Sequence, residues 1–158
     1  MGTEIERKFV LPDVPAWTSA TEGSPVRQGY LAVGEGAEVR VRLIGGRALL
    51  TVKRGEGLAR EEAEIELDES QLRELWPLTE GRRIEKTRYR RPLEDLTVEV
   101  DVYEGAHAGL VVAEIEFGSV SASRSFEPPD WLGREVTGDE RWANRSLALA
   151  AGLPPHTD

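Results

Sequence analysis

From residue 4 onward, charged and apolar side chains take turns. In EIERKF, Glu4, Glu6 and Lys8 share one parity, while Ile5 and Phe9 hold the other. Neighbouring side chains on a β-strand point to opposite faces, so a period of two gathers the three charges on one face. The pattern returns along the chain. EVRVRL sets Arg40 and Arg42 against Val39, Val41 and Leu43, and LLTVKR sets Thr51 and Lys53 against Leu50 and Val52. REEAEIEL opposes Arg60, Glu62, Glu64 and Glu66 to Ala63, Ile65 and Leu67. EKTRYR carries Lys86, Arg88 and Arg90. VEVDVY opposes Glu99 and Asp101 to three valines, and AEIEF opposes Glu114 and Glu116 to Ala113, Ile115 and Phe117.

These runs predict eight strands, at about 3–10, 26–33, 38–44, 47–54, 59–67, 82–91, 95–103 and 111–118. IGGR between two of them is a hairpin signal, because adjacent glycines reach the positive φ of a primed two-residue turn. GEG at 34–36 and again at 55–57 marks two more tight connections. Eight strands joined mostly by hairpins predict an antiparallel sheet long enough to curl into a barrel. Helices are few. DESQLRELW has Asp68 as N-cap and Pro77 as its stop. DERWANRSLALAAG has Asp139 as N-cap and Gly152 as terminator, with Pro154 and Pro155 beyond. The stretches 12–25 and 119–133, rich in proline, serine and glycine, predict irregular structure. With no linker and no repeat, residues 1–158 read as a single domain of mainly β (α+β) class.

The polar parity holds nine acids and eight bases, and the signs cluster by strand instead of mixing. Alternation alone fits a barrel with an apolar interior and a wet exterior. The tryptophans argue the reverse. Trp17, Trp76, Trp131 and Trp142 all fall outside the predicted strands, on connections and helices, where they can cover the apolar outside of an inverted barrel. The charges then line a central channel. Enclosing so many is costly unless they pair with one another or with a charged guest.

Composition narrows the guest. Acids outnumber bases by 29 to 20, for a net charge of −9, which argues against nucleic-acid binding. There is no cysteine, so disulfides and thiolate metal sites are excluded. His107 and His156 stand apart, in a glycine-rich loop and in the tail, which argues against a histidine metal site. No long apolar run and no secretory signature occur, so the expectation is a cytoplasmic protein without membrane contact. Arginine forks and lysine point charges suit phosphate oxygens. Carboxylates would repel a polyanion, but with Mg²⁺ or Mn²⁺ they bridge to it, since hard divalent cations prefer oxygen ligands. Acids for a metal opposite bases for a phosphate chain fit phosphoryl transfer.

At this point the chain resembles the CYTH superfamily, also called triphosphate tunnel metalloenzymes. EIERKF matches its E-x-E-x-K signature. The accompanying segments run in the family's order over nearly the whole chain: QGYL at 28–31, RVR at 40–42, TVK at 51–53, EEAEIEL at 61–67, EKTRY at 85–89, VEVDVYEG at 98–105, GLVVAEIEF at 109–117 and GREVTGDERWANRSLA at 133–148. The resemblance implies a closed eight-stranded antiparallel tunnel with a charged interior, a few covering helices and a divalent metal. It gives Glu4, Glu6, Glu114 and Glu116 the leading metal places, with Glu62, Glu64, Glu99 and Asp101 as further acidic wall and metal candidates. Lys8, Arg40, Arg42, Lys53, Lys86 and Arg88 would bind phosphates, and Lys8, Lys53 and Lys86 are the catalytic candidates. Arg60 and Arg90 are divided between rim and surface, and Glu66 faces solvent. Trp142, Asn144 and Leu147 resemble the family's C-terminal element that packs on the tunnel, although tyrosine is the more usual residue at position 142.

The leading functional expectation is metal-dependent hydrolysis of a triphosphate, most simply inorganic tripolyphosphate, by attack of a metal-held water. The alternatives within the family are an adenylate cyclase of class IV type, which needs a purine pocket, and a thiamine triphosphatase, for which Trp17 or Trp142 would stack on the organic group. A non-catalytic polyphosphate-binding module is the third reading, and the acids speak against it. A homodimer would cover apolar outer surface that the helices leave bare.

Overall fold

The computed structural model describes residues 2–55, 59–150 and 153–154. Glu56 and Gly57 of the 55–57 turn, the terminator Gly152, Pro155 and His156 lie outside the described residues. The strands are β1 (Gly2–Val10), β2 (Ser24–Gly34), β3 (Ala37–Ile44), β4 (Arg47–Arg54), β5 (Ala59–Leu67), β6 (Arg83–Leu93), β7 (Leu96–Tyr103) and β8 (Val111–Glu116), with a short β9 (Arg134–Glu135). Around the ring the order is β1-β5-β4-β3-β2-β6-β7-β8, and β8 returns to β1, with every pair antiparallel. The sheet therefore closes as an eight-stranded barrel, as the alternation predicted.

Gly45 and Gly46, at φ 58° and 76°, make the β3–β4 turn. Gly29 matters for a different reason. A Cβ there would stand 2.4 Å from the Cβ of Thr79, so only glycine lets β2 pass under the 76–79 turn. The first strand is shared: Gly2–Ile5 pair with β5, Glu6–Val10 with β8, and Phe9–Val10 with β9. The ninth strand, which the pattern did not predict, thus takes up the end of β1 that β5 leaves.

The two faces of the barrel are chemically opposite. Outside, Phe9, Val98, Val100, Ala113 and Ile115 are buried with Leu11, Phe117 and Leu132. A second outer cluster, Val41, Ala48 and Leu67, lies beneath helix α1 (Glu69–Leu75), whose Leu72 and Leu75 pack on it together with Trp76. Each such buried valine, leucine, isoleucine or phenylalanine contributes about 1.5–3 kcal/mol. Asp68 caps α1 through Gln71 in a reciprocal capping box.

Two expectations are corrected. The 119–133 stretch is not irregular throughout, since it contains α2 (Val120–Ser125), capped by Ser119, and a 3₁₀ turn at Asp130–Leu132; likewise 12–25 holds a 3₁₀ turn at Ala16–Ala20 and the first residues of β2. The helix α2 has no amphipathic period of its own and is fixed by tertiary contacts, with Arg7 donating to the carbonyls of Ser123 and Phe126. The C-terminal helix is also broken in two. Asp139 caps a 3₁₀ turn at Glu140–Trp142, Ala143 is extended, and α3 (Asn144–Leu149) begins afterwards.

That break sets the inner end of the barrel. Ile84, Tyr103 and Val112 continue the charged parity of their strands, and Tyr30 the inward parity of Gln28, yet they form an apolar cluster closed by Trp142, Leu147 and Ala148. Trp142 therefore plugs the bore and does not cover the outside, as Trp17 and Trp76 do. Among the described residues, no helix is long and apolar enough to cross a membrane.

Candidate functional site

Above the plug lies a polar cavity of about 160 Å³, lined from β1 by Glu4, Glu6 and Lys8, from β8 by Glu114 and Glu116, and from β7 by Glu99. The facing strands contribute Arg40, Arg42 and Glu38 from β3, Lys53 from β4, Arg60 from β5 and Arg88 from β6. Because β7, β8 and β1 are consecutive in the ring, one wall is mainly acidic. Most of the bases come from the opposite side, so the strand-by-strand clustering of sign becomes a field across the bore.

The base of the cavity is a buried ion triad. Lys86 donates to Asp101 at 2.6 Å, while Arg88 reaches both Asp101 oxygens, through Nε at 2.8 Å and Nη2 at 2.9 Å. Burial would raise the Asp101 carboxyl, but Lys86 and Arg88 hold it well below the usual carboxylate range. Both oxygens are thus engaged by cations, and neither Lys86 nor Asp101 reaches the cavity lining.

On the basic wall, donors outnumber acceptors. Arg42 donates from Nε to Gln28, whose amide in turn donates to the Tyr30 hydroxyl. Burial, followed by the charges of Arg40 and Arg88, brings Arg42 down to about 10. The Nε of Arg40 and Nη2 of Arg60 are buried without a hydrogen-bond partner among the described residues. An unmatched buried donor costs about 1–3 kcal/mol, and two on neighbouring arginines of one cavity lining suit it to an anion.

The acidic wall carries the complementary strain. Lys8 approaches Glu114 at 3.3 Å, and Lys53 approaches Glu4 at 2.8 Å and Glu62 at 3.6 Å. Burial would raise Glu114, but Lys8 and then Arg88 and Lys86 hold it at about 2. That fixed charge, followed by burial, pushes Glu6 up to about 7. Glu62 is also raised to about 7, first by burial and then by the hydrogen bond it shares with Glu4. Burial and the charges of Glu4 and Glu99 raise Glu116. No three carboxylates among the described residues are gathered into a formed metal cage. The donor chemistry nevertheless fits a hard divalent cation. Glu4 and Glu6 on β1 stand beside Glu116 and Glu114 on β8, with Glu6 directly opposite Glu116, all offering oxygen, and the repulsion that raises Glu6 and Glu116 is what a cation would relieve.

Of the residues that the sequence singled out, Glu4, Glu6, Lys8, Arg40, Arg42, Lys53, Arg88, Glu99, Glu114 and Glu116 share the cavity. Lys86 and Asp101 lie beneath it. Glu62 stands behind Lys53, and Glu64 accepts from Thr51 at 3.0 Å and is exposed. Arg90 and Glu66 are on the surface, with side chains 68% and 60% exposed. Arg60 belongs to the lining. The sequence reading missed Glu38, which shares the parity of Arg40 and Arg42 and could have been found from it. It also missed Gln28, Thr137 and Arg145. The last two come from segments without a period to announce them.

The CYTH domain family profile matches residues 2–141. An inorganic triphosphatase from Nitrosomonas europaea is 45% identical over 150 residues, covering 94% of this chain and 98% of that protein. An inorganic triphosphatase from Acetivibrio thermocellus is 42% identical over 149 residues, covering 93% and 94%. A crystal structure of an inorganic triphosphatase superposes with a TM-score of 0.70 at 43% identity, over 93% of this chain and 98% of that one.

Proposed function

The chain belongs to the CYTH domain family, and from that membership and its charged bore we propose that it is an enzyme, a triphosphatase that hydrolyses inorganic tripolyphosphate inside the barrel. The observation that carries the reading is the opposition of an acidic wall to a basic wall with unmatched arginine donors, in a cavity closed at its inner end. The two curated relatives, both named inorganic triphosphatase and matched almost end to end, support it.

In this reading Arg40, Arg42 and Arg88 hold phosphate oxygens as planar forks, and Lys8 and Lys53 supply point charges. Glu4, Glu6, Glu114 and Glu116 would hold the divalent cation, proposed to be Mg²⁺ or Mn²⁺, with Glu99 next to them. Held there, such a cation would offset the charge of the phosphate chain and would make water a better nucleophile near neutral pH. Hydrolysis forms a bond from water oxygen to a terminal phosphorus and breaks the bond from that phosphorus to the bridging oxygen. Lys8 and Lys53, each paired with a carboxylate, are placed to neutralise the charge that develops on the leaving oxygen. Lys86, paired with Asp101 below the lining, is assigned a supporting role under Arg88.

The lining explains why the inorganic chain is preferred to an organic triphosphate. Tyr30 is the one aromatic among the lining residues, so a purine or thiazole would meet charge and no stacking platform. Trp142 is buried in the plug and Trp17 packs outside, so neither can stack on a substrate in the bore. The proposal extends to one tunnel domain over 1–158, a cytoplasmic location and a homodimer over the outer face of β4 and β5, where Val52 and Ile65 are exposed.

The test is phosphate release from tripolyphosphate, ATP and thiamine triphosphate, each with Mg²⁺ and with Mn²⁺. Preference for tripolyphosphate is expected. Faster turnover of either organic substrate, or formation of cyclic AMP from ATP, contradicts the reading.

A further inference from the structure

At the end of the cavity next to α3, a carboxylate is buried where a polyanion must bind. Glu38 is only 4% exposed and points inward beside Arg40. It accepts from Arg60 Nη1 of β5 at 3.1 Å and faces Arg145 Nη1 of α3 at 3.9 Å. Arg60 is further tied by its Nε to the Gly55 carbonyl at 3.2 Å, while its Nη2 is buried with no hydrogen-bond partner among the described residues. Arg145 is also paired with Glu140, from the turn that precedes α3. Glu38, Arg60, Arg145 and Glu140 all line the cavity.

The two guanidiniums share the buried carboxylate of Glu38, and Glu140, 66% exposed, balances the remaining charge from the rim; Arg60 and Arg145 come from β5 and α3, elements far apart in sequence. Glu38 itself cannot be a phosphate contact, since it would repel the substrate. It lies on the basic wall, with Lys53 directly opposite it in the β3–β4 register, and it is not on the β7-β8-β1 wall where the other acids stand. Glu38 holds Arg60 by a hydrogen bond that leaves Arg60 Nη2 over, and its charge draws Arg145 toward the same point; restraint of this kind would reduce the entropy that the two side chains lose on binding an anion.

We propose that Glu38 is a positioning residue that fixes Arg60 and Arg145 so that both bind the phosphate at the α3 end of tripolyphosphate, a role that rests on the triphosphatase reading given above. Binding then engages α3 directly, through Arg145, and ties the C-terminal segment to the occupied bore.

The experiment is steady-state kinetics on tripolyphosphate for the full chain with Glu38→Gln, Arg60→Lys and Arg145→Lys, singly and with Glu38→Gln combined with Arg145→Lys, each with its melting temperature. Glu38→Gln keeps the shape and removes the charge, so KM is expected to rise about tenfold or more, the loss typical of charge-assisted contacts. The fall in kcat/KM is carried by KM and not by kcat. Arg145→Lys is expected to do the same, and in the Glu38→Gln background to add less than threefold, because the arginine is already released. A lower melting temperature with unchanged KM, or fully additive losses in the double variant, overturns the inference. Should Glu38→Gln fail to fold, the two arginine variants decide it, with an unchanged KM in both overturning it. Wild-type protein inactive on tripolyphosphate refutes the triphosphatase reading instead.

Discussion

Lys86 on β6 and Asp101 on β7 meet diagonally across the strand pair, 2.6 Å apart, with side chains 0% and 2% exposed, while Arg88 is the residue directly opposite Asp101. The buried pair supports Arg88, which reaches past it into the cavity. Breaking such a pair from one side is far more damaging than replacing both partners, because one charge is left uncompensated. Asp101→Asn is therefore expected to destabilise the fold by roughly 3–5 kcal/mol, read from chemical denaturation. If Asp101 were instead a metal ligand in an exposed cluster, the same change would spare stability and abolish metal dependence.

Glu4 and Glu114 give the opposite signature. Each lines the cavity, and each is paired with a lysine that has further acids nearby. Glu4→Ala and Glu114→Ala are expected to lower metal-dependent turnover by a factor on the order of 10² or more. Their circular dichroism spectra should match the wild type. Retained metal-dependent activity in both would remove the metal site from this wall.

Glu6 and Glu62 both titrate near 7, above the ordinary 4.5, so the folded state favours their protonated forms. The stability that this gives the metal-free protein is complete below about pH 4.5 and is lost as pH rises through about 7. The chelated protein should therefore melt lower at pH 7 than at pH 5.5. Added Mg²⁺ should raise the melting temperature more at pH 7, where the carboxylates are ionised, and Glu6→Gln should flatten both trends. A chelated protein that melts higher at pH 7 contradicts the placement of Glu6 beside Glu114.

Trp142 closes the inner end of the bore with its side chain among Tyr30, Tyr103 and Val112. Trp142→Ala removes the largest member of that cluster and is expected to cost about 3–5 kcal/mol. Trp142→Phe should recover most of it. Trp131→Ala, at a position 38% exposed, should cost much less.

Eight strand positions could be read from parity because one face of each strand had to differ from the other, and a slip of one residue would reverse every side chain. The same parity delivered every charged strand residue of the cavity lining except Glu38. It failed in four places, each for its own reason. The helix α2 is held by Arg7 and by the contact of Phe126 with Phe117, neither of which leaves a helical period in VSASRS. The break at Ala143 follows from Trp142 turning into the bore while Asn144 accepts from the Tyr103 hydroxyl, which is a tertiary demand. Parity also cannot rank depth. Lys86 and Arg88 are two residues apart on one face, yet one lies under the lining and the other in it. Glu38 was overlooked although it stood in register with Arg40, because an acid on a basic strand has no meaning until Arg60 and Arg145 are seen around it.

The most direct measurement is a crystal structure of the inactive Glu114→Ala variant soaked with tripolyphosphate and Mg²⁺. Phosphate density is predicted inside the bore, with oxygens on Arg40, Arg42, Lys53 and Arg88 and its α3 end on Arg60 and Arg145. Density confined to the outer surface, with the bore holding only water, would contradict it.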